Sequence, residues 1–191
     1  FDLETDYNKI IKTLSTTDIM KNAIKSGSGI RILKQDFYET IISFIISQNN
    51  NIPRIKGIID RLCDNYGAFP TAEQMRGVTA DDLAYLRSGF RGKYLSDAVE
   101  CINTGKINLS DIAVAPIDQA REELKKIKGV GPKVAECVLL FGMHRTEAFP
   151  VDVWIKRVLA EYYPNGFPEF AKDNAGIAQQ YLFHYIRNIT E

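Results

Sequence analysis

The break Lys128-Gly129-Val130-Gly131-Pro132, set between two stretches of helical apolar rhythm, constrains this chain more than any other feature. Upstream, Leu124 and Ile127 recur among charges in the stretch that begins at Asp118; downstream, Val134 to Met143 continues with helical period. Gly129 and Gly131 permit a tight turn, and Pro132 suits the first position of a new helix, where its missing N–H loses no bond. The segment predicts helix, hairpin, helix.

A helix that opens just after glycines leaves its first backbone N–H groups and the positive end of its dipole facing outward, a ready site for a phosphate oxygen. Lys125, Lys126 and Lys128 add formal charge beside it. The run Lys128, Gly129, Val130 and Gly131 can therefore hold a nucleic-acid backbone without reading its sequence, although an ordinary αα-hairpin with a solvated basic face has the same pattern. Lys133 falls in the first turn of the second helix, where the dipole opposes a cation. A lysine amine is nucleophilic only when neutral, so dipole, desolvation and nearby cations all favour that use; a merely exposed lysine is the alternative. Asp152, after Pro150-Val151 and before the helical run Val153 to Leu159, is a natural N-cap. Its carboxylate could also face a reactive centre and stabilise positive charge there.

Together these residues resemble the helix-hairpin-helix DNA glycosylases, with IKGVGPKVA standing for the hairpin signature and FPVD for the aspartate that follows it. Within that superfamily the chain is similar to the 8-oxoguanine glycosylase/lyase branch. Three further blocks agree: SFIISQNNNIPRI at 43–55, GFRGKYLSDA at 89–98 and GIAQQYLF at 176–183. The resemblance implies a base-excision enzyme that flips 8-oxoguanine opposite cytosine out of the duplex. Lys133 would attack the anomeric carbon, form a Schiff base and permit β-elimination, with Asp152 supporting the charge and the proton transfers. Cys137 and Phe183 would sandwich the extruded base and Gln179 would read its edge, with Phe141 on the same helical face as Lys133 and Cys137. Asn49 would fill the vacated space, Arg54 and Arg91 would donate to the orphaned cytosine, and Phe90 would be the wedge. A monovalent cation on the hairpin carbonyls is allowed by the family. The rival readings are a lysine-independent glycosylase for alkylated bases and a non-catalytic helix-hairpin-helix module.

At 191 residues and 45% hydrophobic, the chain can bury a substantial core. Its formal net charge is zero, so the case for nucleic acid rests on local charge around the hairpin. Cys63, Cys101 and Cys137 lack the spacing of an iron–sulfur site, and no His, Cys and carboxylate cluster has metal-ligand spacing, so neither cluster nor metal is expected. Unpaired cysteines point to a reducing intracellular compartment, cytoplasm and nucleoid in a prokaryote or nucleus in a eukaryote. No apolar run reaches membrane-spanning length. The expected partner is double-stranded DNA carrying oxidised guanine or abasic sites, bound by a monomer.

The breakers place helices at 5–14, 16–26, 36–48, 52–66, 71–76, 80–86, 90–104, 108–112, 116–127, 132–143, 152–162 and 173–187. The expected fold is all-α: a central helical barrel, residues 35–131, including the first hairpin helix, packs against a discontinuous subdomain of 1–34 plus 132–191 that carries Lys133 and Asp152. A DNA-binding cleft would lie between them. The opening FDLE resembles the strand that closes the family's N-terminal β-domain, which the resemblance implies is otherwise lacking from this chain.

Overall fold

The computed structural model describes residues 1–190, and all regular structure among them is helical. The helices are α1 (Tyr7–Leu14), α2 (Asp18–Ser26), α3 (Phe37–Ser47), α4 (Ile52–Tyr66), α5 (Arg91–Asn103), α6 (Leu109–Val114), α7 (Ile117–Leu124), α8 (Pro132–Gly142), α9 (Val153–Tyr162) and α10 (Ala175–Thr190). Short side chains start many of them. Asp36 caps α3 by accepting from the Glu39 N–H at 2.8 Å, and Asn51 caps α4 by accepting from Arg54 at 3.0 Å.

α8 is apolar on nearly every side, with Val134, Ala135, Cys137, Val138, Leu139 and Leu140 buried, the pattern of a helix enclosed by others. It packs on α3, whose Ile41, Ile42, Ile45 and Ile46 are also buried, while α4 and α5 cover another flank of α3. α10 lies along α2 and against α9. It comes so close to α8 at Gly176 that a Cβ there would collide with Leu140 and with the Ala148 carbonyl. This contact seats the next turns of α10, and with them Gln179 and Phe183, beside α8.

Two expected helices do not form. At 71–76 the reciprocal Thr71–Gln74 bonds that usually start a helix are present, at 2.9 and 3.2 Å, yet Gly77 turns to φ 74° and closes the segment after one turn. At 80–86 only Ala84–Leu86 winds, as a 3₁₀ turn. Leu83 and Leu86, both buried, lie three residues apart, the 3₁₀ repeat, and Arg87 at φ 53° ends it. A second 3₁₀ stretch, Glu169–Asn174, leads into α10. The opening residues Phe1 to Leu3 form no strand; the Asp2 side chain is buried, bonded to Thr5 at 2.8 Å and 3.3 Å from Lys34. No helix among the described residues is long and apolar enough to cross a membrane.

Candidate active site and nucleic-acid groove

The hairpin is built as its glycines require. Gly129 lies at φ 83°, and a Cβ on it would overlap the Tyr94 ring, so glycine is needed both for the turn and for the approach of α5. The Lys128 backbone N–H donates to Asp97 on α5 at 2.7 Å, and Val130 is buried as the hairpin's apolar anchor. Gly131 is the N-cap of α8 and supplies no side-chain cap, so the first-turn N–H groups remain directed away from the helix.

Lys133, at the second position of α8, holds its Nζ 5.5 Å from the centroid of the Phe44 ring. Asp152 uses Oδ1 to cap α9, accepting from Trp154 at 3.0 Å and Ile155 at 2.8 Å, so that one carboxylate oxygen is committed and the group is fixed in place. The capping and the site-facing readings of Asp152 are therefore compatible. Its backbone is delivered by a second anchor: Glu136 on α8 accepts from the Phe149 N–H and pairs with Arg121 of α7.

Lys133 and Asp152 stand on the border of two cavities. The smaller, about 230 Å³, lies between α8 and α10 and is lined by Cys137, Phe141, Gln179 and Phe183, the four residues expected of a base pocket. Phe44, Pro150 and Gln180 complete its wall. Phe44 stacks on Phe141 with centroids 5.6 Å apart. Gln179 is only 3% exposed, and its Oε1 accepts from Gln180 Nε2 at 2.6 Å. Burial pushes the Cys137 thiol up to about 11, against the opposing pull of Lys133, so this wall is neutral at physiological pH. The larger cavity, about 760 Å³, is an open groove bounded by Gly129, Gly131, Lys133, Asp152 and Lys156 on one side and by Gln48, Asn49 and Phe90 on the other.

Phe90 is half exposed and also borders a third cavity of about 600 Å³, shared with Arg54, Arg87 and Lys93. Arg54 is exposed there, held by one 3.3 Å bond from its NH2 to the Arg87 carbonyl. Asn49 is exposed at φ 46° on the turn after α3.

Arg91 departs from expectation. Its side chain is buried, lines none of these three cavities and spends its donors on backbone: Nε on Gln48 O at 2.9 Å, NH1 on Ser88 O at 3.1 Å and NH2 on Asn49 O at 2.8 Å. The left-handed turn at Asn49 brings the Gln48 and Asn49 carbonyls to Arg91, and a guanidinium satisfies several at once. Here Arg91 braces the Asn49 turn. Of the pocket residues that sequence reasoning left unassigned, Phe44 and Gln180 lie inside the matching blocks 43–55 and 176–183, and Pro150 directly precedes Val151-Asp152. Among the described residues no group of His, Cys, Asp or Glu is arranged to hold a metal ion.

A helix-hairpin-helix scaffold with an amine and a carboxylate between a base-sized cavity and an open groove defines a class of nucleic-acid-processing proteins. The chain belongs to the HhH-GPD superfamily of base excision DNA repair proteins, which it matches over residues 42–167. Residues 1–41 match the N-terminal domain of 8-oxoguanine DNA glycosylase. The N-glycosylase/DNA lyase of Saccharomyces cerevisiae is 38% identical over 72% of this chain and 43% of its own length. Among solved structures, MBOgg1 in complex with a low-affinity DNA ligand is 41% identical, with a TM-score of 0.91 over 100% of this chain and 73% of that one. The Clostridium acetobutylicum 8-oxoguanine glycosylase/lyase, bound to double-stranded DNA with cytosine opposite 8-oxoG, is 40% identical, with a TM-score of 0.89 and the same shares covered. The chain thus spans less than half of the yeast relative and nearly three quarters of these two structures.

Proposed function

We propose that this chain is a bifunctional DNA glycosylase and abasic-site lyase that removes 8-oxoguanine opposite cytosine, acting as a monomer on duplex DNA inside the cell. The observation that carries the reading is the position of Lys133 and Asp152 on the shared border of the base cavity and the groove. A nucleotide whose backbone lies in the groove and whose base enters the cavity has its sugar, and therefore its C1′, at that border.

The steps follow from this placement. The hairpin N–H groups hold a phosphate, and Phe90 and Asn49 occupy the stack as the base leaves it. The flipped base lies between Cys137 and Phe183 while Gln179 reads its edge. The Lys133 Nζ lone pair then forms a bond to C1′ as the C1′–N9 bond breaks and the electron pair leaves with the base. Asp152, held by its cap bonds, stabilises the positive charge on the sugar and relays protons between the amine and the departing base. The ring oxygen then leaves C1′ with the proton that the amine sheds, giving a Schiff base, and Asp152 takes a C2′ proton as the electron pair expels the 3′ phosphate by β-elimination. Arg54, the exposed arginine of the neighbouring cavity, donates to O2 and N3 of the orphaned cytosine. Every bond made or broken is assigned to Lys133 and Asp152, so activity is expected to survive a chelator. The identities of the yeast relative and of the two DNA-bound structures support the same reading.

The test is borohydride trapping on duplex DNA carrying 8-oxoguanine opposite cytosine, beside an abasic duplex and a Lys133→Gln control. A covalent adduct on the lesion duplex that vanishes in the control is the expected result. An adduct on the abasic duplex alone removes the glycosylase half of the reading, and no adduct on either leaves the lysine-independent glycosylase or the binding module.

A further inference from the structure

Gln180 shares the base cavity with Gln179, and the two carboxamides are bonded to each other, Gln180 Nε2 donating to Gln179 Oε1 at 2.6 Å. The other residues of that wall are aromatic rings, a proline and a neutral thiol, with Lys133 and Asp152 on the border it shares with the groove. Apart from Lys133 and Asp152, the paired glutamines are thus the polar surface that this cavity offers a base. We propose that Gln180 supplies the acceptor for the exocyclic 2-amino group of a guanine-type base, completing with Gln179 a three-point reading of its Watson–Crick edge. This inference rests on the glycosylase reading above and deepens it.

The argument is one of donor and acceptor order. A carboxamide offers two N–H donors and two acceptor lone pairs. Reversing either amide alone would set NH2 against NH2 or oxygen against oxygen, so the two can turn only together, and the sense found here has Gln180 donating to Gln179. Gln179 is therefore left with its NH2 as donor and the second lone pair of Oε1 as acceptor. The Gln180 Oε1, on the same carboxamide as the donating Nε2, is the further acceptor that the pair supplies. Donor, acceptor, acceptor is the complement of O6, N1–H and N2–H in guanine, an order that oxidation at C8 does not change. Adenine offers a donor at N6, an acceptor at N1 and only C–H at C2, which leaves the Gln180 oxygen unpaired. A polar site that hydrogen-bonds a substrate group discriminates strongly against analogues that lack it.

The test compares 8-oxoguanine with 8-oxohypoxanthine, which differs only by the missing 2-amino group, each opposite cytosine, in single-turnover excision by the full chain. The unaltered chain is expected to favour 8-oxoguanine by about tenfold or more. Gln180→Leu is expected to bring that ratio toward one, and Gln180→Glu, which keeps an acceptor at the position, to retain more of it. Both substrates are measured on the same preparation, so partial unfolding of a variant cancels in the ratio. A ratio that Gln180→Leu leaves unchanged overturns the inference, as does an unaltered chain that excises both bases equally. Excision of neither base by the unaltered chain overturns the glycosylase reading instead, and the inference with it.

Discussion

The Glu136 carboxylate accepts the backbone N–H of Phe149 at 2.6 Å, so the helix that carries Lys133 grips the segment that delivers Asp152. The other Glu136 oxygen pairs with Arg121, which also reaches Asp118 at 2.5 Å. Glu136→Ala would leave the Phe149 N–H without its acceptor and Arg121 with Asp118 alone, at a cost of about 1–3 kcal/mol in stability. If Glu136 acts on the chemistry through Asp152, its effect on the excision rate is not independent of that residue. Glu136→Ala combined with Asp152→Asn should then slow excision by less than the product of the two single effects. Single-turnover rates for the four proteins, with urea unfolding to report stability, decide the matter; strictly multiplicative rates would show that the anchor serves the fold alone.

At the hairpin, Gly129→Ala places a Cβ in the Tyr94 ring and a non-glycine residue at φ 83°. The strain is of order 1–3 kcal/mol, enough to displace the hairpin from α5. The expected result is weaker binding to undamaged duplex DNA of any sequence, with a shallower salt dependence because fewer phosphates are neutralised. Fluorescence anisotropy in a salt series measures both, and an unchanged slope would mean that the hairpin does not touch phosphate.

Phe90 is 50% exposed while it borders two cavities, an arrangement that gives the fold little and a displaced base stack a great deal. Its folded-state contacts are the edge of Tyr94 at 5.6 Å and the Arg91 guanidinium. Phe90→Ala should change stability by no more than about 1 kcal/mol and yet reduce the distortion of bound DNA. A 2-aminopurine placed beside the lesion reports unstacking; full fluorescence enhancement with the variant would refute the wedge.

The features legible in the sequence are those that neighbouring residues determine. Asp152 announces a helix start because capping is local, and the hairpin is visible because glycine takes the conformation of Gly129 more readily than any other residue. The segment after Thr71 misleads for the same reason: its local start signal is real, but Gly77 ends the turn before a helix can propagate. Arg91 and Glu136 were not legible, since their partners, the Gln48 to Asn49 carbonyls and the Phe149 N–H, are 42–43 and 13 residues away and are chosen by packing. Gln180 sits beside an assigned residue, yet only the fold shows that its amide is bonded to Gln179 in the wall of the base cavity.

The buried thiol of Cys137 gives the structure a specific alkaline limit. Burial raises its pKa from 9.0 to about 11, because the thiolate would lose its hydration inside the cavity wall, and Lys133 recovers only part of that loss. In the unfolded chain the thiol ionises near its ordinary value, so above that pH the unfolded state releases a proton that the folded state retains. The stabilisation is complete below pH 9 and is lost as pH rises through about 11, to the extent of roughly 3 kcal/mol at about 1.4 kcal/mol per unit. Tyr7, raised from 10.0 to about 12, weakens the fold in the same direction, but it does so equally in a Cys137 variant. Urea unfolding of the unaltered chain and of Cys137→Ala across this range should therefore show the variant less stable at neutral pH, from its cavity, and the gap narrowing as the medium becomes alkaline. Parallel curves would mean that the thiol is hydrated in the folded state, and that the wall assigned to stack against a flipped base is open to water.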